Sequence, residues 1–210
     1  KKFIHVTTPE VYGSTPKEIK ESYDFNPSTP YAISRATMDT HLYRFFKNYN
    51  LPVIFTRTSN VYGPGQQLYR IIPKAFMCSK KKMKLKLHGG GKSLRSFIHI
   101  SDASKATYLI SEKGLIGETY HISTKEFVSI HRLVKKIAKL QNLTLNKLCK
   151  IETDRVGKDH SYKLNSTKLI KKLKWKPSIN IDQGLVLTKV WIDDNYSRLK
   201  KLSLKYKHKK

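Results

Sequence analysis

Short runs rich in β-branched and aromatic residues alternate along this chain with longer segments of helical periodicity. Phe3–Thr7 and residues 52–56 are each predicted to form a buried strand. Between them, Ser28, Thr29 and Pro30 predict the start of a helix, because a hydroxyl side chain can cap it and proline fits its first turn. The alternation predicts an α/β fold with a parallel sheet, and such sheets bind ligands at the carboxyl ends of their strands.

The rest of the chain continues this pattern. Further strands are predicted at about residues 84–87, 96–100 and 118–122, and further helices at about residues 69–80, 101–112, 129–141, 165–174 and 181–203. Ser101 and Asp102 are expected to cap the helix that starts with them. The three glycines at residues 89–91 are expected to form a hairpin turn before Arg95.

The chain is strongly basic, with 42 Lys and Arg against 15 Asp and Glu and a formal net charge of +27. Residues 1–60 hold a net charge of +3, and residues 61–210 hold +24. Such a field attracts any polyanion, including nucleic acid. Zinc-finger spacing, an RRM-type aromatic signature and a helix-turn-helix pattern are all missing from the sequence. Nucleic-acid binding through the basic tail is therefore a lesser alternative to an anionic small ligand or to solvated lysine faces.

Cysteine and apolar content exclude several classes of protein. Cys78 and Cys149 provide neither a disulfide framework nor a metal quartet, so a reducing, cytoplasmic compartment and no metal site are predicted. No apolar run approaches the roughly 20 residues of a membrane span, so no membrane partner is expected. Because the first residue is Lys1 rather than Met, the chain is expected to be part of a longer translation product.

Three stretches carry polar side chains where the predicted strands and the first helix meet. They are residues 7–13 (Thr-Thr-Pro-Glu-Val-Tyr-Gly), residues 31–35 (Tyr-Ala-Ile-Ser-Arg) and residues 57–65 (Arg-Thr-Ser-Asn-Val-Tyr-Gly-Pro-Gly). Tyr31 and Arg35 are four residues apart and share one helical face, where a cation favours the phenolate form and hence a tyrosine base. Taken singly, Tyr31 is better explained by packing and Arg35 by solvation. The occurrence of all three stretches in this order indicates a functional site far more specifically than either residue alone.

These stretches resemble the extended short-chain dehydrogenase/reductases, namely the NAD-dependent epimerase/dehydratase family that acts on nucleotide sugars. The likeness is greatest to the dTDP-glucose 4,6-dehydratases within that family. Residues 7–13 resemble the family's Ser-Thr-Asp-Glu-Val-Tyr-Gly stretch, residues 31–35 its Tyr-x-x-x-Lys signature and residues 60–64 its Asn-x-Tyr-Gly-Pro. Further matches follow in the same order at residues 68–73, 95–102, 117–122, 154–159 and 173–177. The resemblance extends from Phe3 to about Asn195.

The resemblance implies a mechanism and a set of site residues. NAD would oxidise C4 of a hexose with Tyr31 as base and Thr8 bonded to the C4 oxygen, and Glu10 would remove the C5 proton. The implied residues are Thr8, Glu10, Tyr31 and Arg35 for catalysis, Thr7, Tyr31, Arg35 and Ser59 for the cofactor, and Asn60, Arg95, Arg155 and Tyr162 for the substrate. Arginine suits a nucleotide diphosphate because its guanidinium binds phosphate oxygens bidentately. The implied substrate is a nucleotide-diphosphate sugar, and the implied assembly is a homodimer.

Three departures from the family pattern bear on activity. Pro9 stands where the family has an Asp that protonates the leaving C6 hydroxyl, and Arg35 stands where it has a Lys. The sequence also lacks the Gly-x-Gly-x-x-Gly turn that holds a dinucleotide in a Rossmann half. The chain is therefore expected to be the C-terminal part of a Rossmann-like, doubly wound parallel sheet with a small α+β sugar-nucleotide lobe. By itself it is expected to be inactive.

The predicted domains follow from the same resemblance. They are a partial NAD(P)-binding Rossmann-like domain at residues 1–63 and 97–123, a nucleotide-sugar lobe at residues 64–96 and 124–200, and a basic tail at residues 201–210. Glu10 favours dehydratase-like chemistry over simple 4-epimerisation, while decarboxylation, the sugar and the nucleotide stay open. A second hypothesis is a truncated or degenerate relative that binds a nucleotide sugar or another partner without catalysis.

Overall fold

Strands and helices alternate along the chain as the sequence predicts. A computed structural model describes residues 1–154 and 161–206. The strands are β1 (Phe3–Thr7), β2 (Val53–Thr58), β3 (Asn60–Tyr62), β4 (Leu85–His88), β5 (Leu94–His99), β6 (Thr119–Ile122), β7 (Phe127–Ser129), β8 (Cys149–Glu152) and β9 (Ser161–Tyr162). The α-helices are α1 (Pro30–Tyr49), α2 (Ile71–Lys80), α3 (Ile100–Lys113), α4 (Ile130–Leu140), α5 (Leu145–Leu148), α6 (Thr167–Leu173), α7 (Ile181–Asp194) and α8 (Tyr196–Leu199). Pro9–Tyr12 and Gly89–Gly91 form short 3₁₀ turns.

The chain divides into two compact units. Unit 1 comprises the described parts of residues 1–61, 93–127 and 157–178, and unit 2 comprises those of residues 62–92, 128–156 and 179–210. This division differs from the predicted domains chiefly at residues 161–178, which the prediction assigns to the sugar-nucleotide lobe. They fall in unit 1 because β9 pairs with β5 and α6 packs against β6.

A parallel three-stranded sheet forms the centre of unit 1. Its strand order is β1-β2-β6. Phe3 pairs with Val53 and Thr7 with Arg57, and β2 continues in the same direction alongside β6. Since all three strands run parallel, their carboxyl ends meet at one edge. This arrangement confirms the predicted α/β fold, and it places the polar stretches after β1 and β2 at the same edge.

Helix α1 starts and ends at local signals. The Thr29 side chain caps it by accepting from the Ala32 amide, Pro30 occupies the first turn, and Asn50 ends it in the left-handed region at φ +55°. Ala32, Ala36 and Asp39 are its buried residues, spaced so that they share one face. The two alanines on this face allow close packing, while the aspartate is an unusual core residue.

Apolar side chains from the sheet and its covering helices form the core of unit 1. One cluster joins Ile54, Ile98, Ala103, Ala106, Ile110, Tyr120, Ile122, Leu169 and Trp175. These residues come from β2, β5, β6, α3, α6 and the segment after α6. Burying an isoleucine or tryptophan of this kind contributes about 1.5–3 kcal/mol relative to exposure.

Unit 2 is mainly helical. Helix α4 buries Leu133, Val134, Ile137 and Ala138 along one side, and it packs against α2 and α7. Gly184 on α7 leaves room for the Tyr62 ring, because a side chain there would collide with the Tyr62 hydroxyl. Strands β4 and β8 form a separate parallel pair. Across residues 1–154 and 161–206, no helix is long and apolar enough to cross a bilayer.

The structure corrects three details of the predicted elements. The glycines at Gly89–Gly91 do not close a hairpin, because β4 pairs with the distant β8 rather than with β5. The helix predicted over residues 181–203 is two helices, which break at Asn195. The cap of α3 is His99, whose ring accepts from the Ser101 amide, rather than Ser101 or Asp102. Asp102 instead accepts from the amide and the hydroxyl of Ser178.

Candidate active site

Two buried hydroxyl groups lie at the carboxyl edge of the sheet. Thr7 is the last residue of β1, and Ser59 follows the last residue of β2. Neither hydroxyl oxygen has a hydrogen-bond partner among the residues that the structure describes. An unsatisfied buried polar group costs about 1–3 kcal/mol, so such groups are expected where a polar ligand binds. Both residues are among those predicted to bind the cofactor.

A tight turn follows β1 and carries two predicted catalytic residues. The Thr8 hydroxyl caps the 3₁₀ turn Pro9–Tyr12 by accepting from the Glu10 amide at 3.3 Å. Pro9 fits the first position of that turn, where no amide hydrogen is needed. Gly13 then turns the chain at φ +65°, and any side chain there would collide with the Asn26 carbonyl. The turn therefore fixes Thr8 and half-buried Glu10 just beyond the end of β1.

Tyr31 and Arg35 lie in the first turns of α1. The Arg35 guanidinium donates a hydrogen bond to the backbone carbonyl of Val6, next to the end of β1. The Tyr31 side chain is 55% exposed, and no hydrogen bond joins it to Arg35 among the described residues. The start of α1 is thus tied to the strand end that leads into Thr7 and Thr8. These predicted residues belong to one neighbourhood of unit 1.

A buried ion pair holds α1 against two strands. Asp39 accepts from Arg57 on β2 at 2.9 Å, and its other oxygen lies 2.9 Å from the His5 Nε2 atom on β1. Arg57 and Asp39 are both 0% exposed. Their desolvation is costly, so the pair is expected to be retained for the geometry that it imposes. None of the sequence motifs points to this ion pair as part of the site.

The same arginine connects the turn after β1 to β6. Arg57 donates to the Tyr12 hydroxyl at 3.0 Å, and that hydroxyl lies 3.0 Å from the His121 Nε2 atom on β6. Burial, together with the positive charge of Arg57, lowers the pKa of His121 to about 3. Burial likewise raises the pKa of Tyr12 above its ordinary value. His121 is therefore neutral, and Tyr12 remains a phenol, at neutral pH.

A sequence signal for this network existed in part. Arg57 is the one charged residue of β2, and Asp39 lies seven residues after Ala32 on a face of small residues. A charged residue in the middle of an apolar strand indicates a buried partner, since arginine is almost never fully buried unpaired. The identity of that partner, on a helix 18 residues earlier in the chain, needed the fold.

The predicted substrate-binding residues form a second group within unit 1. Arg95 on β5 pairs in register with Tyr162 on β9, and its guanidinium lies 4.3 Å from the centre of that ring. The Asn60 side chain donates to the Ser96 carbonyl at 3.1 Å, which places it beside β5. Arg155 lies outside the described residues. Arg95 and Tyr162, which the predicted domains placed in the second lobe, thus belong to unit 1 with the sheet.

The structure offers no resident metal site among residues 1–154 and 161–206, where no group of three or more His, Cys, Asp or Glu could hold an ion. Cys78 and Cys149 are both free and buried. The polar groups at the sheet edge are hydroxyls, a carboxylate, a phenol and guanidinium groups. Such a set suits an organic ligand that carries hydroxyls and anionic groups.

The parallel sheet, the turn after β1 and the tyrosine helix together define a Rossmann-like protein of the dehydratase and epimerase class. Residues 1–188 match the sequence model described as GDP-mannose 4,6 dehydratase. The chain belongs to this family of NAD-dependent epimerases and dehydratases.

Several relatives are similar to most of this chain. Human dTDP-D-glucose 4,6-dehydratase is 35% identical over 206 residues, which cover 95% of this chain and 58% of the human protein. The dTDP-glucose 4,6-dehydratase of Haemophilus influenzae is 32% identical, with coverage of 90% and 60%. The Bacillus anthracis dTDP-glucose 4,6-dehydratase, solved in complex with NAD, superposes with a TM-score of 0.90 at 33% identity. It covers 96% of this chain, whereas this chain covers 65% of it. The chain thus spans about three fifths of these proteins' lengths.

Proposed function

We propose that this chain carries the catalytic strand ends of an NAD-dependent 4,6-dehydratase that acts on a nucleoside-diphosphate hexose. One observation carries the proposal. The turn with Thr8 and Glu10 and the helix start with Tyr31 and Arg35 converge on the end of β1. Base, hydrogen-bond donor and carboxylate are then available at one sheet edge, where α/β folds bind their ligands.

The residues at this edge fit a dinucleotide. The hydroxyls of Thr7 and Ser59 and the Nε atom of Arg35 are buried and have no partner among the described residues. The ribose and amide groups of NAD would satisfy such donors and acceptors. NAD, when bound, supplies the acceptor that takes a hydride from the sugar and later returns it. The relatives solved with NAD support this assignment.

The proposed roles of the chain's own residues begin at the sugar C4. Tyr31 takes the proton of the C4 hydroxyl, and the Thr8 hydroxyl donates to the oxygen as it becomes a carbonyl. Glu10 then removes the C5 proton, which the C4 ketone has made acidic. The exposed Tyr31 phenol can reach a substrate without first breaking a hydrogen bond within the described part of the protein.

Pro9 changes the second half of this reaction. Proline carries no proton for the departing C6 hydroxyl, and here it is fixed as the first residue of the 3₁₀ turn. We infer that Glu10 passes the proton taken from C5 to the C6 oxygen. The C5–H and C6–O bonds then break, water leaves, and a C5–C6 double bond forms. The proton removed from C5 is the one delivered to the C6 oxygen, so a single carboxyl group acts first as base and then as acid.

Arg95 and Tyr162 are proposed to bind the nucleoside diphosphate. Their stacked arrangement at 4.3 Å holds a guanidinium in place for phosphate oxygens. Asn60 lies beside the same strand. Arg155 has a corresponding role by the resemblance, although it lies outside the described residues.

We also propose that the complete protein is a cytoplasmic homodimer that pairs through α1. Large apolar side chains on α1 other than the proposed base are exposed, among them Ile33, Met38, Phe45 and Tyr49, and exposed apolar patches mark interaction sites. The two free cysteines support a reducing compartment. Sedimentation of wild type and Phe45→Glu tests the dimer, which the charged variant is expected to dissociate.

A second candidate is a nucleotide-sugar binding module without catalysis. Pro9 favours this alternative because proline cannot donate a proton. Arg35 favours it as well, because the Arg35 guanidinium is already bonded to the Val6 carbonyl. Nucleotide-sugar binding without any turnover would support this alternative.

The test of the proposed function uses the protein expressed from its complete gene. It is incubated with NAD and, in turn, with dTDP-glucose, UDP-glucose and UDP-glucuronate, and the products are identified by mass spectrometry. A 4-keto-6-deoxy sugar nucleotide, lighter than its substrate by one water, is the expected product from one of the glucose nucleotides. Absence of product and of NADH with all three substrates would falsify the dehydratase assignment.

A further inference from the structure

The loop between Gly13 and Asn26 leaves the candidate active-site turn and returns to it. The Asn26 amide donates to the Val11 carbonyl at 3.0 Å, so the two ends of the loop are held together. The body of the loop meets a distant part of unit 1, residues 161–165. The loop therefore joins the turn that carries Thr8 and Glu10 to the strand that carries Tyr162.

Thr15 makes three hydrogen bonds to this strand. Its amide donates to the Ser161 carbonyl at 2.9 Å, and its carbonyl accepts from the Ser161 hydroxyl at 2.7 Å. Its side-chain hydroxyl accepts from the Lys163 amide at 2.7 Å. Thr15 and Ser161 are both buried. Because these bonds lie on both sides of Tyr162, they fix the backbone that carries its ring.

Further bonds extend the same contact. The Ile19 amide donates to the Lys163 carbonyl at 2.8 Å, and the Asn165 amide donates to the Ile19 carbonyl at 2.9 Å. We call residues 15–19 with residues 161–165 the clasp. Within the clasp, the Thr15 side chain bonds to the backbone directly after Tyr162.

The clasp sets where Arg95 can lie. Tyr162 lies between Ser161 and Lys163, the two residues that bond to Thr15. It also pairs directly with Arg95 across β5 and β9. The ring supports the guanidinium at 4.3 Å. A guanidinium stacked on a fixed ring loses little rotamer freedom on binding an anion, and such pre-organisation increases affinity.

We propose that Thr15 is a positioning residue for the diphosphate: its hydroxyl fixes Tyr162 beneath Arg95, and so fixes the cation that receives the phosphates. The proposal rests on the proposed function in one respect, which is that the ligand contains a nucleoside diphosphate. Thr15 belongs to none of the predicted motifs, and its proposed action on the ligand passes through Tyr162 and Arg95.

Thr15→Val tests this most directly, because valine keeps the shape of threonine but leaves the Lys163 amide without its acceptor. Calorimetry with thymidine diphosphate and the protein from its complete gene is expected to show an affinity weakened roughly 5- to 50-fold. Thr15→Ser keeps the hydroxyl and is expected to restore affinity to within about twofold. With substrate, the KM is expected to rise while kcat stays within about twofold.

Thr188→Val is the matched control. Thr188 is a buried threonine of unit 2, and its hydroxyl donates to the Gly184 carbonyl of its own helix. Its replacement is expected to leave the affinity for thymidine diphosphate unchanged. Equal losses in the Thr15 and Thr188 variants would show a general effect on stability and would overturn the positioning role.

Hydrogen exchange gives a readout that needs no ligand. The Lys163 amide is expected to exchange slowly in wild type and in Thr15→Ser, and faster in Thr15→Val. Faster exchange with unchanged affinity would overturn the proposal, as would no change in either. If Thr15→Val does not fold, Ser161→Ala takes its place. The affinity of this variant for thymidine diphosphate is expected to fall two- to fivefold. An unchanged affinity would overturn the proposal.

Binding by wild type distinguishes an error in the proposed function from an error in the role of Thr15. If wild type itself binds neither thymidine diphosphate nor uridine diphosphate, the nucleotide-sugar assignment is wrong. If wild type binds one of them and Thr15→Val binds it equally well, the assignment stands and only the role of Thr15 is wrong.

Discussion

Arg57 joins two parts of the candidate site through buried hydrogen bonds. It bonds to Asp39 on α1 and to Tyr12 in the turn after β1, and its guanidinium lies 5.0–5.6 Å from the ring centres of Tyr12, Tyr23 and Phe25. A charge buried this way is stable only while its partner stays ionised. The candidate base on α1 and the candidate carboxylate in the turn are therefore positioned by the same side chain.

Asp39→Asn is expected to destabilise the protein by about 3–5 kcal/mol, because it leaves Arg57 as an uncompensated buried charge. The measurement is the free energy of unfolding in urea. Asp24→Asn, at an exposed aspartate of the same unit, serves as the control and is expected to change stability by less than about 0.5 kcal/mol. Similar values for the two variants would contradict the role assigned to the ion pair.

His121 predicts a specific dependence of stability on pH. Its pKa is about 3 in the folded protein because of burial, whereas an unfolded histidine titrates near about 6.5. Below pH ~6.5 the unfolded state binds the extra proton, so the stability contribution is complete above that pH and is lost as the pH falls toward ~3. The slope is at most about 1.4 kcal/mol per pH unit. His121→Gln is expected to flatten the stability profile between about pH 4 and 6.5 relative to wild type, and parallel profiles would show that His121 does not titrate this way.

Helix starts and short strands were predictable from neighbouring residues alone. The start of α1 was predictable because Thr29 and Pro30 are a cap and a first-turn residue, and β1 was predicted with its observed bounds. The hairpin predicted at Gly89–Gly91 is wrong, because β4 pairs with β8, about 60 residues later in the chain. A run of glycines does not indicate which strands pair over that distance. The break at Asn195 was missed because apolar periodicity continues across it.

The turn after β1 makes its own prediction. Gly13→Ala is expected to cost about 2 kcal/mol or more, since φ is +65° and the new side chain would collide with the Asn26 carbonyl. Gly65→Ala is the control, because Gly65 also has positive φ, at +84°, but has no atom within 4 Å of the added carbon. Thermal unfolding of both variants measures the difference. Equal costs would mean that the close approach of Gly13 and Asn26 does not stabilise the turn.

Over the whole chain, the order of the sequence motifs indicates the family, but it does not show which contacts hold the site together. Nine of the ten predicted site residues lie in the described part of unit 1, and Arg155 lies outside the described residues. The Asp39–Arg57 pair and the clasp join residues distant in sequence, so periodicity and motif order could not reveal them. The net charge of +27 far exceeds what one nucleoside diphosphate needs, and nucleic-acid binding through the basic tail stays a lesser prediction.

Tyr31 is the proposed base at C4, and the proposed reaction cannot start without it. The direct measurement is the single-turnover formation of NADH from the nucleotide sugar that proves to be the substrate, with the protein from its complete gene. Tyr31→Phe is expected to slow this step by at least about 100-fold, because it removes the proton acceptor. Tyr108→Phe, at an exposed tyrosine on α3, is expected to retain the wild-type rate. A Tyr31→Phe rate within about twofold of wild type would contradict the assignment.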